Sequence, residues 1–511
     1  MSTSTDKPKR GPLRPDTLSS SILILLTVAV VQRSVGFGRG ILFCRWLDAE
    51  SLGHWEMAYG FLLLAAPLAV LGLPGSFGRY LTRYREDGML WMFLRRTAAW
   101  TFGLAAVAVA TLLAFRGQFA GLVFGEPNQT LMMTAVAACL AVVILMHFLE
   151  AVFAGLRLFR VVSVMYFCQS MLFAAGALSL IRFWRADALS VIVAYGAGCL
   201  ATSLGVLAWS AFRAEAAPDA APGLSHRQFW PPLMRFAVWV WVTNLLSNLF
   251  AVIDRYMIVH CGAFTADEAL AQVGNYHASA LVPMLLVSIA NLLVGAMTPH
   301  LSHDWEAGRR GAVSDQLNLT LKLAPLVMLA AGAVVLACNP LLFGWVLEGR
   351  YAYGRAVAPW TLATCVWFGM LLVSQTYVWC AEKSRRAAWP LATGLLANIG
   401  LNLVLLPRMG LLGAVVATAV ATLIAFAIQL WVNHRVGMRV SPGLFICGLS
   451  PLALAGGLTT TLPLLLAAGV GVLFTDLLVD AQEKRLLTSV ARGYLARAPF
   501  NRLHRNPSVA S

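Results

Sequence analysis

Charged residues are scarce in this chain: Asp, Glu, Lys and Arg make up 12% of its 511 residues, whereas hydrophobic residues make up 59%. The mean hydropathy is +0.74, which excludes most soluble enzymes. The sequence has no Cys-x-x-Cys pair, so its nine cysteines are interpreted as free apolar residues and not as disulfides or metal ligands. It also has no Gly-x-x-x-x-Gly-Lys-Ser/Thr phosphate loop. We therefore do not expect the chain to hydrolyse ATP.

What the chain does contain is a series of hydrophobic segments. A helix needs about 20 apolar residues to cross the hydrocarbon of a bilayer, so the sequence predicts an all-α polytopic membrane protein with about 14 transmembrane helices. Pro442, Pro451 and Pro463 interrupt the last two segments, which leaves open a hairpin or one span with a re-entrant piece. The predicted spans are 19–44, 55–73, 91–114, 130–153, 161–181, 188–212, 233–261, 274–297, 319–342, 357–380, 389–406, 411–432, 443–458 and 460–479.

Lys and Arg residues are concentrated in alternate loops. The loops of one side and both termini contain 27 of the 38, the loops of the other side contain 7, and the rest lie within spans. Because loops rich in Lys and Arg stay in the cytoplasm, this pattern predicts an inner-membrane protein with both termini cytoplasmic. The net charge of +15 is spread over short loops. It is explained by orientation and contact with anionic lipids, and no nucleic-acid partner is expected.

The two halves of the chain resemble each other at a nearly constant offset. Gly53 and Gly274 are 221 positions apart, and Arg185 and Arg408 are 223 apart. Six predicted spans lie on either side of a polar, proline-rich stretch, which predicts two six-helix lobes related by a pseudo-two-fold axis along the membrane normal, plus two C-terminal helices. The predicted organisation is a cytoplasmic tail at 1–18, an N-lobe at 19–212, a cytoplasmic linker at 213–232, a C-lobe at 233–432, helices 13 and 14 at 443–480, and a basic cytoplasmic tail at 481–511.

The same offset relates two charged residues within spans. It places Arg33 of span 1 opposite Asp254 of span 7, at similar depth. A charge at the centre of a bilayer costs roughly 2.5–3.5 kcal/mol on insertion scales. We therefore expect both residues to face a polar interior shared by the two halves. The alternative is that Arg33 simply pairs with Asp254.

Six short stretches stand in a fixed order over residues 20–440. They are GILFCRWLDAESLG (40–53), LGLPGSFGR (71–79), AGLRLFR (154–160), VIDRYMI (252–258), GNY (274–276) with PHLS (299–302), and GLLGAVVAT (410–418). Together they resemble the polysaccharide flippases of the multidrug/oligosaccharidyl-lipid/polysaccharide exporter superfamily. Two in-span arginines in span 1 and the arginine-rich C-terminal tail depart from that family's pattern, which leaves the substrate open.

The resemblance implies a transporter and not an enzyme. Such a protein flips a lipid-linked oligosaccharide, such as a polyprenyl-diphosphate sugar, from the inner to the outer leaflet by alternating access, for surface polysaccharide biosynthesis. The implied partners are the lipid-linked oligosaccharide, membrane lipids, and glycosyltransferases or a polymerase of the same pathway.

A guanidinium binds phosphate with two hydrogen bonds and stays charged, so the in-span arginines are candidates for binding the diphosphate. Two asparagines one helical turn apart on span 7 are candidates for contacts with the sugar, and hydrogen bonding between helices is their alternative role. The candidate substrate-binding residues are Arg33, Arg39, Arg255, Asn244 and Asn248.

Energy for transport would come from an ion gradient, the membrane potential or consumption of the product. The candidate coupling or gating groups are Asp254, Glu150 and His147. Glu150 and His147 are three residues apart on one helix and can touch, although a pair that snorkels to the cytoplasmic surface is an alternative. No cofactor or metal is predicted. His300-x-x-His303-Asp304 has a ligand-like spacing but no further ligand, and we interpret it as a surface loop.

Two other functions stay open on the sequence alone. One is a cation-coupled exporter of drugs or other small molecules from the same superfamily. The other is a membrane-embedded polysaccharide polymerase or ligase. Short outer loops disfavour the enzyme, and the acidic pair Asp267-Glu268 has a counterpart in Asp48 and Glu50 of the matching turn. We interpret both acidic turns as turn chemistry.

Overall fold

The regular structure is entirely helical in the computed structural model, which describes residues 18–213, 224–475, 478–480 and 483–484. Most of the predicted tails and the first half of the predicted linker lie outside the described residues. The helices are α1 (Leu18–Trp46), α2 (Ala49–Ala69), α3 (Phe77–Glu86), α4 (Leu90–Ala114), α5 (Arg116–Phe124), α6 (Thr130–Gly155), α7 (Phe159–Phe183), α8 (Ala188–Arg213), α9 (His226–Cys261), α10 (Ala266–Ala280), α11 (Pro283–Glu306), α12 (Arg310–Leu341), α13 (Ala352–Cys380), α14 (Ser384–Met409), α15 (Leu411–Val436), α16 (Pro442–Leu449), α17 (Leu452–Ala455) and α18 (Leu458–Phe474).

Helices lie at all of the predicted spans, which confirms the all-α membrane fold. Within the described residues, ten helices are long and apolar enough to cross a bilayer, and α2 with its bent continuation to Glu86 would be an eleventh. Large apolar side chains such as Phe212 and Phe474 are exposed, as expected for surfaces that face lipid. Helices α16 to α18 are shorter and match the proline-interrupted end of the sequence.

The predicted eighth span, 274–297, is two helices and not one. Helix α10 begins earlier, at Ala266, and ends at Ala280, and α11 begins at Pro283. Proline has no amide hydrogen and disfavours a helical conformation at the preceding residue, so the helix breaks before it.

Span 2 also bends where the sequence analysis predicted only its end. Helix α2 stops at Ala69, a 3-10 turn follows at Leu73–Ser76, and α3 continues at an angle of 64°. Gly72 lies at this break with φ +64°, and a Cβ there would come within 2.4 Å of the Trp241 side chain on α9. The bend therefore depends on glycine for both its backbone conformation and its close packing.

The chain divides into two compact units. The first contains residues up to Val282, Asn339–Ala358 and Ser384–Ile424, and the second contains Pro283–Cys338, Pro359–Lys383 and residues from Ala425 onward. In the first unit, α9 packs on α2, α10 and α14. In the second, the Trp367 Nε1 of α13 donates a hydrogen bond to the carbonyl oxygen of Gly448 at 2.8 Å. The division into two six-helix lobes stays a prediction.

Helices α2 and α10 pack against each other through the two glycines that first indicated the repeat. A Cβ at Gly53 would lie 1.9 Å from the carbonyl oxygen of Leu270, and a Cβ at Gly274 would lie 1.9 Å from that of Ala49. Each glycine meets the residue four positions before the other, so the contact is reciprocal. This is the arrangement of two matching helices about a local two-fold axis, and it requires glycine on both.

The acidic turns before these two helices cap them. The Ser51 amide donates to Asp48 Oδ1 at 2.8 Å. Thr265 and Glu268 form a reciprocal capping box at the start of α10. Both sets of contacts satisfy amide groups that a helix start leaves unpaired, which agrees with the interpretation as turn chemistry.

Candidate functional site

A buried ion cluster lies beside the glycine contact of α2 and α10. Glu56 of α2 is 4% exposed, and its Oε2 lies 2.9 Å from Nη2 of Arg255 on α9. Its Oε1 lies 2.9 Å from Nδ1 of His277 on α10. Two basic groups from two other helices thus contact the carboxylate. These contacts connect α2, α9 and α10.

Sequence reasoning did not select Glu56. The signal that could have found it is the repeat itself, because Glu56 and His277 are 221 positions apart and so occupy matching places on α2 and α10. The two residues meet each other across the local axis. Arg255, a predicted substrate-binding residue, is partly buried, and its guanidinium forms an ion pair with Glu56 in this cluster.

Arg39 is half-buried on α1 and stacks on aromatic rings. Its guanidinium carbon lies 4.2 Å from the ring centre of Phe173 on α7 and 5.8 Å from that of Phe43. None of the ion pairs between described residues includes Arg39. A guanidinium held by cation–π contacts in a partly desolvated place, with no described carboxylate at ion-pair distance, is suited to receive an anion.

Arg33 and Asp254 are not brought together. Arg33 is exposed on α1, whereas Asp254 is buried on α9 and 2% exposed. The pairing of the two, which was the alternative at the sequence level, does not form in the described part of the chain. The residues matched by the repeat therefore have different surroundings.

Asp254 is surrounded by uncharged polar groups. Asn402 Nδ2 of α14 donates to its Oδ1 at 3.3 Å, and the Tyr276 hydroxyl of α10 donates to its Oδ2 at 3.4 Å. Asn398 and Thr418 extend the same network, since Asn402 Nδ2 also donates to Asn398 Oδ1 at 2.7 Å and Asn398 Nδ2 donates to Thr418 Oγ1 at 3.4 Å. Asn402 Oδ1 is buried and has no hydrogen-bond partner among the described residues. A carboxylate, amide oxygens and a hydroxyl are the ligand types that hard cations prefer, so this cluster has the chemistry to hold one.

Four of the predicted residues line one cavity of about 350 Å³. Asn244 and Asn248 come from α9, and His147 and Glu150 come from α6. Asn248 Nδ2 donates to Asn244 Oδ1 and to the carbonyl oxygen of Leu63, both at 3.1 Å. The cavity is bounded by Leu63, Ala66, Pro67, Val70, Gly72, Pro74, Gly75, Ile144, Ala151, Tyr166, Val240 and Trp241 as well.

The polar groups of this cavity suit hydroxyl-rich ligands. The Tyr166 hydroxyl donates to Glu150 Oε1, and the Trp241 indole is anchored by a 3.0 Å hydrogen bond from Nε1 to the carbonyl oxygen of Pro67. The cavity thus combines amides, a carboxylate, a hydroxyl and aromatic surface, and its volume lies in the range of small-molecule sites. A second cavity of about 440 Å³, next to Tyr351 and Arg355, contains none of the predicted site residues.

No cluster of three or more His, Cys, Asp or Glu side chains suitable for a metal occurs among the described residues. The His300–Asp304 stretch was predicted to be a loop, and it is instead the end of α11. There Asp304 pairs with Arg309 and His303 is exposed.

Comparison with known proteins decides the family. The family model described as "Polysaccharide biosynthesis protein" matches residues 18–305, which is more than half of the chain. The chain belongs to this family. The match confirms the resemblance to the polysaccharide flippases, whose superfamily also includes the exporters named below.

Solved structures show the same fold at low sequence identity. A structure titled "Lipid II flippase MurJ, inward closed conformation" aligns with a TM-score of 0.67 at 12% identity, over 93% of this chain and 99% of that one. An inward-facing multidrug resistance MATE family transporter of the MOP superfamily aligns with a TM-score of 0.62 at 14% identity, over 81% and 98%. No curated protein sequence matches this chain significantly. The chain is thus a multi-pass membrane protein of the MurJ and MATE fold.

Proposed function

We propose that this protein flips a lipid-linked oligosaccharide from the inner to the outer leaflet of the cytoplasmic membrane, as a non-enzymatic step of surface polysaccharide biosynthesis. The observation that carries the proposal is Arg39, a half-buried guanidinium on α1 that belongs to no ion pair between described residues. A membrane protein retains a cation in such a place at a cost in free energy. The diphosphate of a polyprenyl-linked sugar would compensate that charge.

The cavity lined by α2, α6 and α9 supports the proposal for the sugar part of the substrate. Asn244, Asn248, Glu150 and Tyr166 offer donors and acceptors for sugar hydroxyls, and Trp241 offers an aromatic surface. The oligosaccharide would occupy this cavity while Arg39 holds the diphosphate. Arg33 is exposed, so its role would be to attract the anionic headgroup before it enters.

Asp254 supports coupling to a cation. The hydrogen-bond partners of its carboxylate are uncharged among the described residues, and the partnerless Asn402 Oδ1 would turn toward a bound cation after rotation of the amide. Binding and release of the cation would then alternate with transport of the lipid. His147 and Glu150 lie on the cavity wall, where they would contact the substrate directly.

Arg39 provides the test. In a deletion strain, we expect loss of the surface polysaccharide and accumulation of its lipid-linked repeat unit on the inner leaflet. Arg39→Ala should fail to restore the polymer, and Arg39→Lys should restore it in part because the charge stays and the planar fork is lost. The matched control is Arg45→Ala, which breaks an exposed ion pair with Glu348 and should restore the polymer fully.

Full restoration by Arg39→Ala would contradict the role of Arg39. Unchanged polymer in the deletion strain would contradict the flippase itself. The second candidate function is a cation-coupled exporter, which the cation-suited surroundings of Asp254 favour. In that case the deletion strain would become sensitive to drugs while its surface polysaccharide stays normal.

A further inference from the structure

A lysine lies buried in the second compact unit. Lys322 lies 12 residues after the start of α12 at Arg310, and it is 1% exposed. Its Nζ donates to both carboxylate oxygens of Glu483 at 2.9 and 3.0 Å, and Asp480 Oδ2 lies 3.9 Å away. Among the described residues, these are the acidic groups within ion-pair distance. A buried cation that loses its counter-ion is strongly destabilising, so this position needs an anion in every state of the protein.

Both carboxylates belong to the described residues that follow α18, 478–480 and 483–484, here called the C-terminal turn. Leu478 and Val479 are buried against Leu319 of α12 and Cys447 of α16. The Asp480 amide donates to Glu483 Oε2 at 2.8 Å, so the turn itself orients the carboxylate toward Lys322. A short chain segment, anchored by two buried apolar side chains, therefore provides the carboxylate that pairs with Lys322.

The ion pair of Lys322 lies next to partly buried apolar side chains. Leu323, Leu326, Ala468 and Val472 are only partly buried where they pack around the C-terminal turn. They provide apolar surface beside a single buried ammonium group. That combination fits a phosphate headgroup with acyl chains better than a free phosphate ion, which would leave the apolar surface uncovered.

We propose that Lys322 is a binding site for the phosphate of an anionic phospholipid, and that the Asp480 and Glu483 carboxylates of the C-terminal turn compete with the lipid for it. The turn occupies the site when it is docked, and the phospholipid replaces it when the turn leaves. This site is separate from Arg39 and from the cavity of α2, α6 and α9. The inference does not depend on what the protein transports.

The test uses the purified full-length protein in nanodiscs of phosphatidylcholine with added phosphatidylglycerol. Native mass spectrometry measures bound phosphatidylglycerol, and maleimide labelling of Cys447, located by peptide mass spectrometry, reports undocking of the turn because Cys447 is 1% exposed beneath it. In Asp480→Asn/Glu483→Gln, we expect phosphatidylglycerol to bind about tenfold more tightly or better, since its competitor has lost both charges. Cys447 labelling should rise in parallel.

Two controls isolate the lysine. Adding Lys322→Met to the double variant should abolish the gain in lipid binding and leave a neutral site that can still pack. Asp304→Asn/Glu306→Gln, which removes two carboxylates at the end of α11, should leave both readouts at the wild-type level. In the wild-type protein, Cys447 labelling should rise with the phosphatidylglycerol content of the nanodisc, which tests the competition without any substitution.

Three results would overturn the proposal. The first is equal phosphatidylglycerol binding by the wild type and the double variant. The second is a gain in binding that persists without Lys322, and the third is wild-type Cys447 labelling that does not respond to phosphatidylglycerol. Displacement of the bound phosphatidylglycerol by inorganic phosphate would assign the site to free phosphate and would overturn the lipid assignment.

Discussion

Asp254 and Arg255 are neighbours on α9, yet their side chains have different kinds of partner. Arg255 meets a carboxylate, Glu56, which also meets His277. Asp254 points to other helices and meets the amide of Asn402 and the hydroxyl of Tyr276. The Arg255 guanidinium forms an ion pair, whereas the hydrogen-bond partners of the Asp254 carboxylate are uncharged.

The difference distinguishes an ion cluster that stabilises the fold from a site that has groups available to bind an ion. The Glu56 cluster joins three helices and is satisfied as it stands, so removing one member should destabilise the fold. The Asp254 cluster has a carboxyl group without an ion-pair partner among the described residues and a partnerless amide oxygen, so it has groups available to bind a cation. Three substitutions test this contrast, and they are ordered by their expected effect on stability.

Glu56→Ala should have the largest effect. It leaves Arg255 partly buried without its carboxylate, and breaking such a pair costs about 3 kcal/mol or more. Thermal unfolding in detergent measures the loss. The double variant Glu56→Ala/Arg255→Met should recover much of it, since an apolar replacement removes the stranded charge. Glu348→Ala, which breaks the exposed pair with Arg45, should change stability by less than about 1 kcal/mol; equal losses in both single variants would refute the contrast.

Gly274→Ala should have the next largest effect. The added Cβ would overlap the Ala49 carbonyl oxygen, which is backbone and cannot rotate away. Forcing α2 and α10 apart should cost about 1–3 kcal/mol and loosen the Glu56–His277 contact. Gly103→Ala is the matched control, because no atom lies within 4 Å of a Cβ at that position. It should be neutral or slightly stabilising, and a Gly274→Ala protein as stable as this control would show that the close contact is dispensable.

Asp254→Asn should affect stability least and cation response most. Its partners are neutral, so an amide can replace the carboxylate with a change of about 1 kcal/mol or less. The wild-type melting temperature should rise with the concentration of the coupling cation because the folded state binds it, and the variant should show no such rise. Asp187→Asn, which removes a carboxylate paired with Arg185, should keep the wild-type response. A cation response that survives in Asp254→Asn would exclude the site.

Much of the fold could be predicted because lipid imposes a simple rule on sequence. Segments such as 130–153 and 411–432 are apolar over a bilayer's thickness, and they coincide with α6 and α15. The break in span 8 was missed, although Pro283 marks it, because an apolar run does not reveal where a helix is interrupted. The amphipathic α3 was also missed, because its polar composition does not indicate a membrane span.

The candidate site was only partly accessible from sequence. In-span arginines and asparagines stand out by their rarity, but the sequence does not tell which helix face each occupies. Asn402 contacts Asp254 although the two residues are 148 positions apart in the chain. The partner of Lys322 lies 161 positions away in the C-terminal turn, outside any repeat or motif. Only the three-dimensional arrangement brings such residues together.

The contact between Glu56 and His277 also distinguishes a single chain from a symmetric dimer. A two-fold axis brings the same position of both copies together, so in a homodimer of unfused halves this residue would face its own duplicate. Two identical ionisable groups would then repel each other when charged. A single polypeptide can have different residues at the two positions, and here one is an acid while the other is a base. One chain can therefore form an attraction between these positions that two identical chains about an axis could not.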